Sequence, residues 1–152
     1  MYAFNDVALW GGIESSEDYP YKKFVFECDF DEKKVVMKDS GAIVLPPWRE
    51  DKLKAAVALY GPVSVGVYAT ENFFDYHTGV FDDHICRSEP AIDRCINHAL
   101  LIVGYGTDPE QGDYWLVKNS WGESFGEKGY IRIKRGVDMC GIAVFGVITK
   151  TS

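Results

Sequence analysis

The side chains that could carry out chemistry here include a histidine at the start of a long apolar segment and an amide near a tryptophan. The histidine is His98, and the amide and the indole, Asn119 and Trp121, lie in the segment NSWG. An imidazole next to a cysteine lowers the pKa of the thiol and can later protonate a leaving amine, and a side-chain amide can hold that imidazole in one orientation. Each residue also has a structural interpretation, because a single histidine that opens a strand is more often structural than catalytic, and NSWG alone is an ordinary turn.

The other histidines and the cysteines indicate no metal or redox site. The four cysteines are Cys28, Cys86, Cys95 and Cys140, and no CxxC pair occurs. The four potential ligands His84, Cys86, Cys95 and His98 have a spacing that fits no structural zinc pattern. His77 and His84 have polar, loop-like neighbours, so we expect solvated side chains there. Scattered cysteines favour disulfides in an oxidising compartment over buried free thiols, but composition does not choose among the three possible pairings.

The composition is that of an acidic globular protein. Of the 152 residues, 47% are hydrophobic and 14% are aromatic, which suits one domain with a substantial core. The formal net charge of −7 and the pI near 4.9 argue against nucleic-acid and anionic-membrane partners, which need a basic face. No apolar run reaches the roughly 18 to 20 residues that span a bilayer, and no basic and apolar leader follows Met1. We therefore expect no membrane partner, and the charge fits an acidic lumen or the extracellular space.

Helices that could position these side chains are predicted mainly in the first part of the chain. Residues 2–10 have apolar groups at helical spacing and end at a pair of glycines, although no capping residue precedes them. Residues 50–60 are amphipathic, with Leu53, Val57 and Tyr60 on one face, and a Gly-Pro pair ends the pattern. The sequence therefore predicts a helix in each of these two segments.

Strands are predicted through the rest of the chain, separated by turns rich in glycine and proline. The alternating or apolar segments are residues 41–45, 63–68, 98–105, 114–119, 130–134 and 145–149. Residues 98–105 are too apolar for a surface strand, so we expect them to run through the core. With one helical turn at residues 72–76 and no internal repeat, the sequence predicts a single α+β domain over residues 1–152. Its helices come first and a twisted antiparallel sheet or partial barrel follows.

Three segments carry a resemblance to a known family, namely NHALLIVGYG, YWLVKNSWG and GYIRIKRG, at residues 97–106, 114–122 and 129–136. In this order and spacing they resemble the papain and cathepsin family of cysteine peptidases. The likeness extends to GGIESSEDYPY, GPVSV and CGI, at residues 11–21, 61–65 and 140–142, and so covers nearly the whole chain. The resemblance implies the α+β papain-like fold, here mostly its antiparallel, β-barrel-like right lobe with a remnant of the helical left lobe.

The resemblance also implies catalytic roles. His98 matches the catalytic imidazole, Asn119 the amide that orients it, and Trp121 the ring that covers their hydrogen bond and excludes water. The implied activity is that of an endopeptidase, which cuts peptide or protein substrates through an acyl-thioester and needs no metal and no organic cofactor. Cystatin-like inhibitors are implied partners, and the implied location is lysosomal or extracellular.

The nucleophile that this chemistry requires is missing from the sequence. In the family the histidine and asparagine follow the cysteine by roughly 130 to 150 residues, and counting back from His98 runs beyond Met1. No CGSCW-like segment occurs, and neither does the upstream glutamine that binds the oxyanion. Cys95 is a poor substitute, because three residues before His98 on a strand it points to the opposite face, and it lacks a helix amino terminus.

The missing nucleophile predicts an amino-terminally truncated peptidase domain that supplies His98 and Asn119 only and is inactive alone. Apolar groups at Phe4, Leu9 and Trp10 would then be exposed and would favour binding of the missing amino-terminal segment or self-association. The alternative is a non-catalytic fragment or pseudo-enzyme that binds peptides, inhibitors or a complementary chain.

The resemblance also assigns the cysteines. It implies a disulfide between Cys86 and Cys140. Cys28 matches a position that in the family bridges to a cysteine in the absent part, so we expect it to be unpaired here. Cys95 has no common partner in the family, and we expect a free thiol.

The resemblance places a substrate pocket at Gly66, Ile96 and Asn97, with Phe145 at its base. An apolar pocket floored by a large ring would favour a modest aliphatic side chain two residues before the cleaved bond. Equally, Phe145 could simply pack within the sheet. Phe125 stands where the family usually has a second tryptophan, which puts preferences on the leaving-group side in doubt, whereas Asn97 in place of a common aspartate changes no role.

Overall fold

The computed structural model describes residues 2–88 and 96–150. The chain forms two compact units, one of Met1–Ile43 with Thr149–Ser152 and the other of Val44–Ile148. The expected free thiol at Cys95 falls outside the described residues, and a single peptidase domain over residues 1–152 stays a prediction. Within the described ranges, no helix combines the length and the apolar character needed to cross a membrane.

The first predicted helix, α1, spans Tyr2–Trp10. Leu9 and Trp10 on it are 81% and 53% exposed, as expected from the sequence, whereas Phe4 is partly buried. The helix ends at the glycine pair, where Gly11 and Gly12 donate their N–H groups to the carbonyls of Ala8 and Val7. Gly12 has φ +143°, and a side chain there would collide with the backbone of a neighbouring strand. A glycine is therefore required where the chain leaves the helix.

The strands form two sheets. In the smaller unit, β1 (Ile13–Glu14) pairs antiparallel with β2 (Val35–Met37). The other strands are β3 (Ala42–Val44), β4 (Val63–Val67), β5 (Val80–Phe81), β6 (His98–Asp108), β7 (Gly112–Lys118), β8 (Tyr130–Lys134) and β9 (Gly146–Thr149). They form one sheet in the order β3-β9-β4-β6-β7-β8-β5. The β4–β9, β4–β6, β6–β7 and β7–β8 pairs are antiparallel, as predicted, and the β5–β8 pair is parallel.

Helix α2 packs against this sheet at the predicted position. The helices after α1 are α2 (Glu50–Tyr60), α3 (Glu71–Phe74) and α4 (His84–Ser88), with 3-10 turns at Glu32–Lys34 and Met139–Gly141. Leu53, Ala56 and Val57 form the buried face of α2. The prediction that Tyr60 shares this face is wrong, because Tyr60 is the last helical residue and is 70% exposed. The chain turns there at Gly61, with φ +93°.

The central hairpin of the sheet is what positions the candidate site. Strand β6 lies between β4 and β7, with Leu100 and Ile102 buried, so the expected core strand is an interior strand of the sheet. Its turn into β7 is closed by Asp108, whose carboxylate accepts the backbone N–H groups of Glu110 and Gln111 at 3.0 Å each. Because β6 and β7 are antiparallel, the residues that follow β7 lie next to the start of β6.

Candidate active site

The histidine and asparagine that the sequence singled out are hydrogen-bonded in the structure. His98 Nε2 lies 2.9 Å from Asn119 Oδ1. A carboxamide oxygen can only accept hydrogen bonds, so the neutral imidazole carries its proton on Nε2. The free lone pair of the ring is then on Nδ1. That atom is the one able to exchange a proton with a reacting group.

Strand pairing brings the two residues together. His98 is the first residue of β6, opposite Val67 of β4, and Asn119 directly follows β7. Asn119 is 7% exposed, and its backbone N–H donates to the carbonyl of Gly129 over 2.9 Å. Its Oδ1 also accepts the N–H of Ser120 at 2.7 Å, while Nδ2 is buried without a hydrogen-bond partner among the described residues. Two donors thus converge on one amide oxygen and fix the orientation of the amide.

Aromatic rings enclose part of the imidazole. The Trp121 indole stacks on the His98 ring, with centroids 4.8 Å apart and an interplanar angle of 27°. Phe73, which is fully buried, meets His98 edge-on at 6.1 Å. Phe74 stacks on Trp121 at 4.9 Å, and Phe125 meets Trp121 edge-on at 5.0 Å. These rings displace water from the surroundings of the His98–Asn119 hydrogen bond, which strengthens it.

Asn97 ties the start of β6 to the end of β4. Its Oδ1 accepts the backbone N–H of Ala69 at 2.8 Å, and its Nδ2 donates to the carbonyl of Ala69 at 3.1 Å. Its own backbone N–H donates to the carbonyl of Val67 at 3.1 Å. A cavity of about 180 Å³ lies beside this bridge, lined by Ala69, Phe74, Asn97, His98 and Trp121. The imidazole therefore borders a space that a ligand group can enter.

The other residues expected to line a pocket also lie together. Gly66 donates its backbone N–H to the carbonyl of Phe145 over 3.0 Å. A Cβ added to Gly66 would lie 2.7 Å from Cγ2 of Ile96, so these two residues are in direct contact. Ile96 and Phe145 are 38% and 40% exposed. Ile96, two residues before His98 in the sequence, therefore packs on Gly66 and presents an accessible apolar side chain.

Within the part of the chain that the structure describes, the cysteines and the remaining histidines add no further reactive group to this region. Cys86 and Cys140 form a disulfide, the pairing expected from the resemblance, and Cys28 is free and exposed. His77 and His84 are exposed. Among the described residues there is no group of three side chains placed to hold a metal ion.

A buried carboxylate supports the helix that carries Phe73. The Asp83 side chain accepts hydrogen bonds from Thr70 Oγ1 at 2.6 Å and from the backbone N–H of Ile85 at 2.9 Å. Burial alone would raise the pKa of Asp83, but the hydrogen bonds outweigh burial and its pKa lies below the usual value. Because Thr70 is the N-cap of α3, Asp83 fixes the start of this helix.

Comparison with known proteins agrees with the resemblance. Residues 1–149 match the family model described as "Papain family cysteine protease". The chain belongs to this family. Among curated relatives, it is 47% identical over 134 residues to a Caenorhabditis elegans protein named "Cathepsin L-like", covering 87% of this chain and 38% of that protein. It is 46% identical over 145 residues to mouse "Cathepsin S", covering 94% of this chain and 41% of that protein.

Solved structures of papain-family proteins share the fold. A digestive procathepsin L2 from Tenebrio molitor superposes with a TM-score of 0.87 and 38% identity, over 97% of this chain and 45% of that chain. Bromelain from Ananas comosus, solved in complex with the E64 inhibitor, superposes with a TM-score of 0.85 and 33% identity, over 99% of this chain and 68% of that chain. The α+β papain-like fold is therefore confirmed. The chain spans about two fifths of the length of the curated relatives it matches.

Two groups of residues around the candidate site are not predicted from the sequence. Phe73 and Phe74, which contact His98 and Trp121, lie on the predicted helical turn, where the pair of adjacent rings was the available signal. No pattern in the sequence indicates a structural role for Asp83, because an aspartate next to other acidic residues is typical of an exposed surface. Its role depends on burial, which only the fold determines.

Proposed function

We propose that this chain supplies the histidine and asparagine of a cysteine-type endopeptidase. The observation that carries the proposal is the 2.9 Å hydrogen bond between His98 Nε2 and Asn119 Oδ1 under the Trp121 ring. With Nε2 engaged by Asn119, Nδ1 of His98 is left to exchange a proton with a cysteine thiol. Membership of the papain family supports this assignment.

The proposed reaction has two steps. The thiolate attacks the peptide carbonyl carbon and forms a C–S bond, and protonated His98 gives its Nδ1 proton to the amine as the C–N bond breaks. Water then attacks the acyl-thioester and passes a proton to Nδ1, and the C–S bond breaks to release the acid and the thiolate. Asn119 keeps the imidazole in the orientation that both steps need.

The 152-residue chain alone is proposed to be inactive. Cys86 and Cys140 share a disulfide, so neither sulfur can form a thiolate. The relatives are longer than the matched region, which supports a nucleophile contributed by a segment outside this sequence. Hydrolysis of a fluorogenic peptide by the purified chain, blocked by an epoxide thiol inhibitor, would contradict this proposal.

The proposed substrates are peptides or proteins with a modest aliphatic side chain two residues before the cleaved bond. The contacts of Gly66 with Ile96 and with the Phe145 carbonyl support such a pocket, because both flanking side chains are apolar and partly exposed. A charged substrate side chain would lose hydration there without a compensating partner. Cystatin-like inhibitors are proposed to compete for the same surface.

The proposed compartment is lysosomal or extracellular. A disulfide between Cys86 and Cys140 supports an oxidising environment. The net charge of −7 at pH 7 is compatible with an acidic lumen, where protonation of carboxylates would reduce self-repulsion.

A chimera tests the catalytic assignment. In it, this chain replaces the matching portion of a cathepsin L-like relative that carries the cysteine. The chimera is expected to hydrolyse a fluorogenic peptide, His98→Ala to abolish the activity, and Asn119→Ala to lower kcat about 100-fold, because a misplaced imidazole reacts slowly. His77→Ala changes an exposed histidine away from the pair and is the matched control. A folded chimera in which His98→Ala retains full activity would refute the assignment.

Peptide binding without cleavage is the second candidate function. The disulfide that removes two thiols, together with the cavity beside His98, favours it, because both the cavity and the Gly66–Ile96 surface exist without a nucleophile. Calorimetric titration of the purified chain with an uncleavable peptide would show saturable binding if this function is correct. An active chimera would favour the peptidase.

A further inference from the structure

The loop that follows Asn119 carries the rings that cover His98. Trp121 stacks on the imidazole, and Phe125 packs edge-on against Trp121 at 5.0 Å. The loop closes on itself where Gly129 donates its N–H to the carbonyl of Phe125 over 2.7 Å. The Gly129 carbonyl in turn accepts the N–H of Asn119. The conformation of this loop therefore sets both the backbone of Asn119 and the ring above His98.

Glu127 anchors this loop to the rest of the fold. Its carboxylate accepts hydrogen bonds from Arg132 Nε at 3.0 Å and Nη2 at 2.8 Å. It also accepts from Thr78 Oγ1 at 2.9 Å and from the backbone N–H of Gly79 at 3.1 Å. Arg132 donates from Nη1 to Asp108 at 2.9 Å, which extends the network to the β6–β7 turn. The hydrogen bond from Arg132 is the main cause that holds the pKa of Glu127 below its usual value.

The loop has little freedom on its inner side. A Cβ at Gly126 would lie 2.6 Å from the carbonyl oxygen of Tyr130 and 2.8 Å from the Tyr76 ring. The Tyr76 hydroxyl donates to the carbonyl of Gly79 at 2.7 Å and accepts the N–H of Arg132 at 3.2 Å. The segments of Gly79 and Arg132, which bind the Glu127 carboxylate, thus also hold the Tyr76 ring, and the loop packs against that ring at Gly126. Release of the Glu127 carboxylate would loosen the loop from the segment of Gly79.

We propose that Glu127 is a positioning residue for the His98–Asn119 pair, acting through the loop that carries Trp121. The inference rests on the proposed function of that pair, but its structural content does not need a nucleophile. Glu127 touches neither His98 nor a substrate in this scheme. Loss of its anchor lets the Trp121 indole move on the imidazole, which admits water to the hydrogen bond between His98 and Asn119.

NMR of the 152-residue chain labelled in its histidine and tryptophan rings tests the proposal. Glu127→Gln removes one acceptor oxygen and the charge at nearly constant volume. It is expected to change the ring-current shifts of the His98 ring protons and to speed solvent exchange of the His98 Nε2 proton about tenfold, because the loop opens more often. Glu123→Gln changes an exposed carboxylate in the same loop and is the matched control, expected to leave these signals unchanged.

A second variant keeps the test decisive if Glu127→Gln does not fold. Thr78→Ala removes one of the donors to Glu127 from an exposed position and is expected to change the same His98 signals in the same direction, by less. Unchanged His98 signals in a folded Glu127→Gln chain, or in Thr78→Ala where that is the only folded variant, would overturn the inference. The proposed function would survive that outcome, since the chimera assay tests it independently.

Discussion

The Glu50 carboxylate holds three segments together at the amino terminus of α2, and its removal should be measurable. Oε2 accepts the Trp115 Nε1–H at 2.9 Å and the backbone N–H of Gly136 at 2.8 Å. Oε1 accepts the backbone N–H of Asp138 at 2.6 Å. Helix α2, strand β7 and the segment after β8 thus meet at one side chain. We predict that Glu50→Ala destabilises the protein substantially.

The loss in the free energy of unfolding on Glu50→Ala depends on which N–H donors are left without a partner. Trp115 is fully buried and Asp138 is partly buried, so water does not readily replace the acceptor for their N–H groups. Gly136 is exposed, and water can satisfy its N–H. Orphaning a buried donor costs about 1 to 3 kcal/mol, so the two donors together give a loss of about 3 kcal/mol in the free energy of unfolding.

A double-mutant cycle isolates the bond to the indole. Trp115→Phe removes its donor, and the double variant with Glu50→Ala removes both partners. The coupling energy should be about 1.5 to 3 kcal/mol, the range for a hydrogen bond to a charged group. Urea denaturation followed by far-ultraviolet circular dichroism measures all four proteins, because the signal does not depend on the substituted indole.

A neighbouring carboxylate on α2 provides the control for Glu50→Ala. Asp51→Asn, one residue further along the same helix, changes an exposed carboxylate paired with Arg49, and the unfolding midpoint should not move. A coupling energy below about 0.5 kcal/mol would show that the Glu50–Trp115 hydrogen bond does not stabilise the fold and would refute the reasoning.

Three further predictions concern the disulfide, the pocket and pH. Replacing Cys86 and Cys140 by serine opens a loop with a sequence separation of 54 residues, and the free energy of unfolding should fall by about 4 kcal/mol, measured in urea against the oxidised parent chain. Gly66→Ala places a Cβ 2.7 Å from Cγ2 of Ile96 and must displace that side chain. In the chimera it should raise KM for peptides with an aliphatic side chain two residues before the cleaved bond, while a selective loss of kcat would argue against a pocket there. Burial would raise the pKa of Asp83 in the folded state, but hydrogen bonds from Thr70 and Ile85 outweigh burial and lower it. The ionised Asp83 side chain therefore stabilises the fold above the pKa that this residue has in the unfolded chain. This stabilisation is lost as the pH falls through its pKa in the folded state. Thermal melts of the parent and Asp83→Asn should therefore differ most at neutral pH and converge on acidification, and a constant difference across pH would contradict this.

Local patterns in the sequence predicted several elements closely. The first helix was predicted at residues 2–10 and is found at Tyr2–Trp10, because a glycine pair marks its end. The second helix and strand β8 match their predicted spans, Glu50–Tyr60 and Tyr130–Lys134. In each case the segment has a clear period and a glycine follows within two residues, so no distant contact was needed to place it.

Other features could not be predicted because they depend on partners far away in sequence. The parallel pairing of β5 with β8 joins residues about 50 positions apart, and a strand of two residues has no readable period. Tyr60 was expected on the buried face of α2 but lies where the helix ends. Likewise, the Glu127 carboxylate accepts hydrogen bonds from Thr78 and Gly79, and no local sequence pattern connects these residues to it.

The sequence by itself determined the family and the identity of the His98–Asn119 pair, because ordered motifs such as NHALLIVGYG and YWLVKNSWG carry that information in residue types and spacing. The tertiary structure alone decided how the pair is held. The stacking of Trp121, the edge of Phe73 and the converging donors at Asn119 Oδ1 come from three separate segments. Distance and orientation between such segments arise from sheet register and core packing, which are properties of the whole fold.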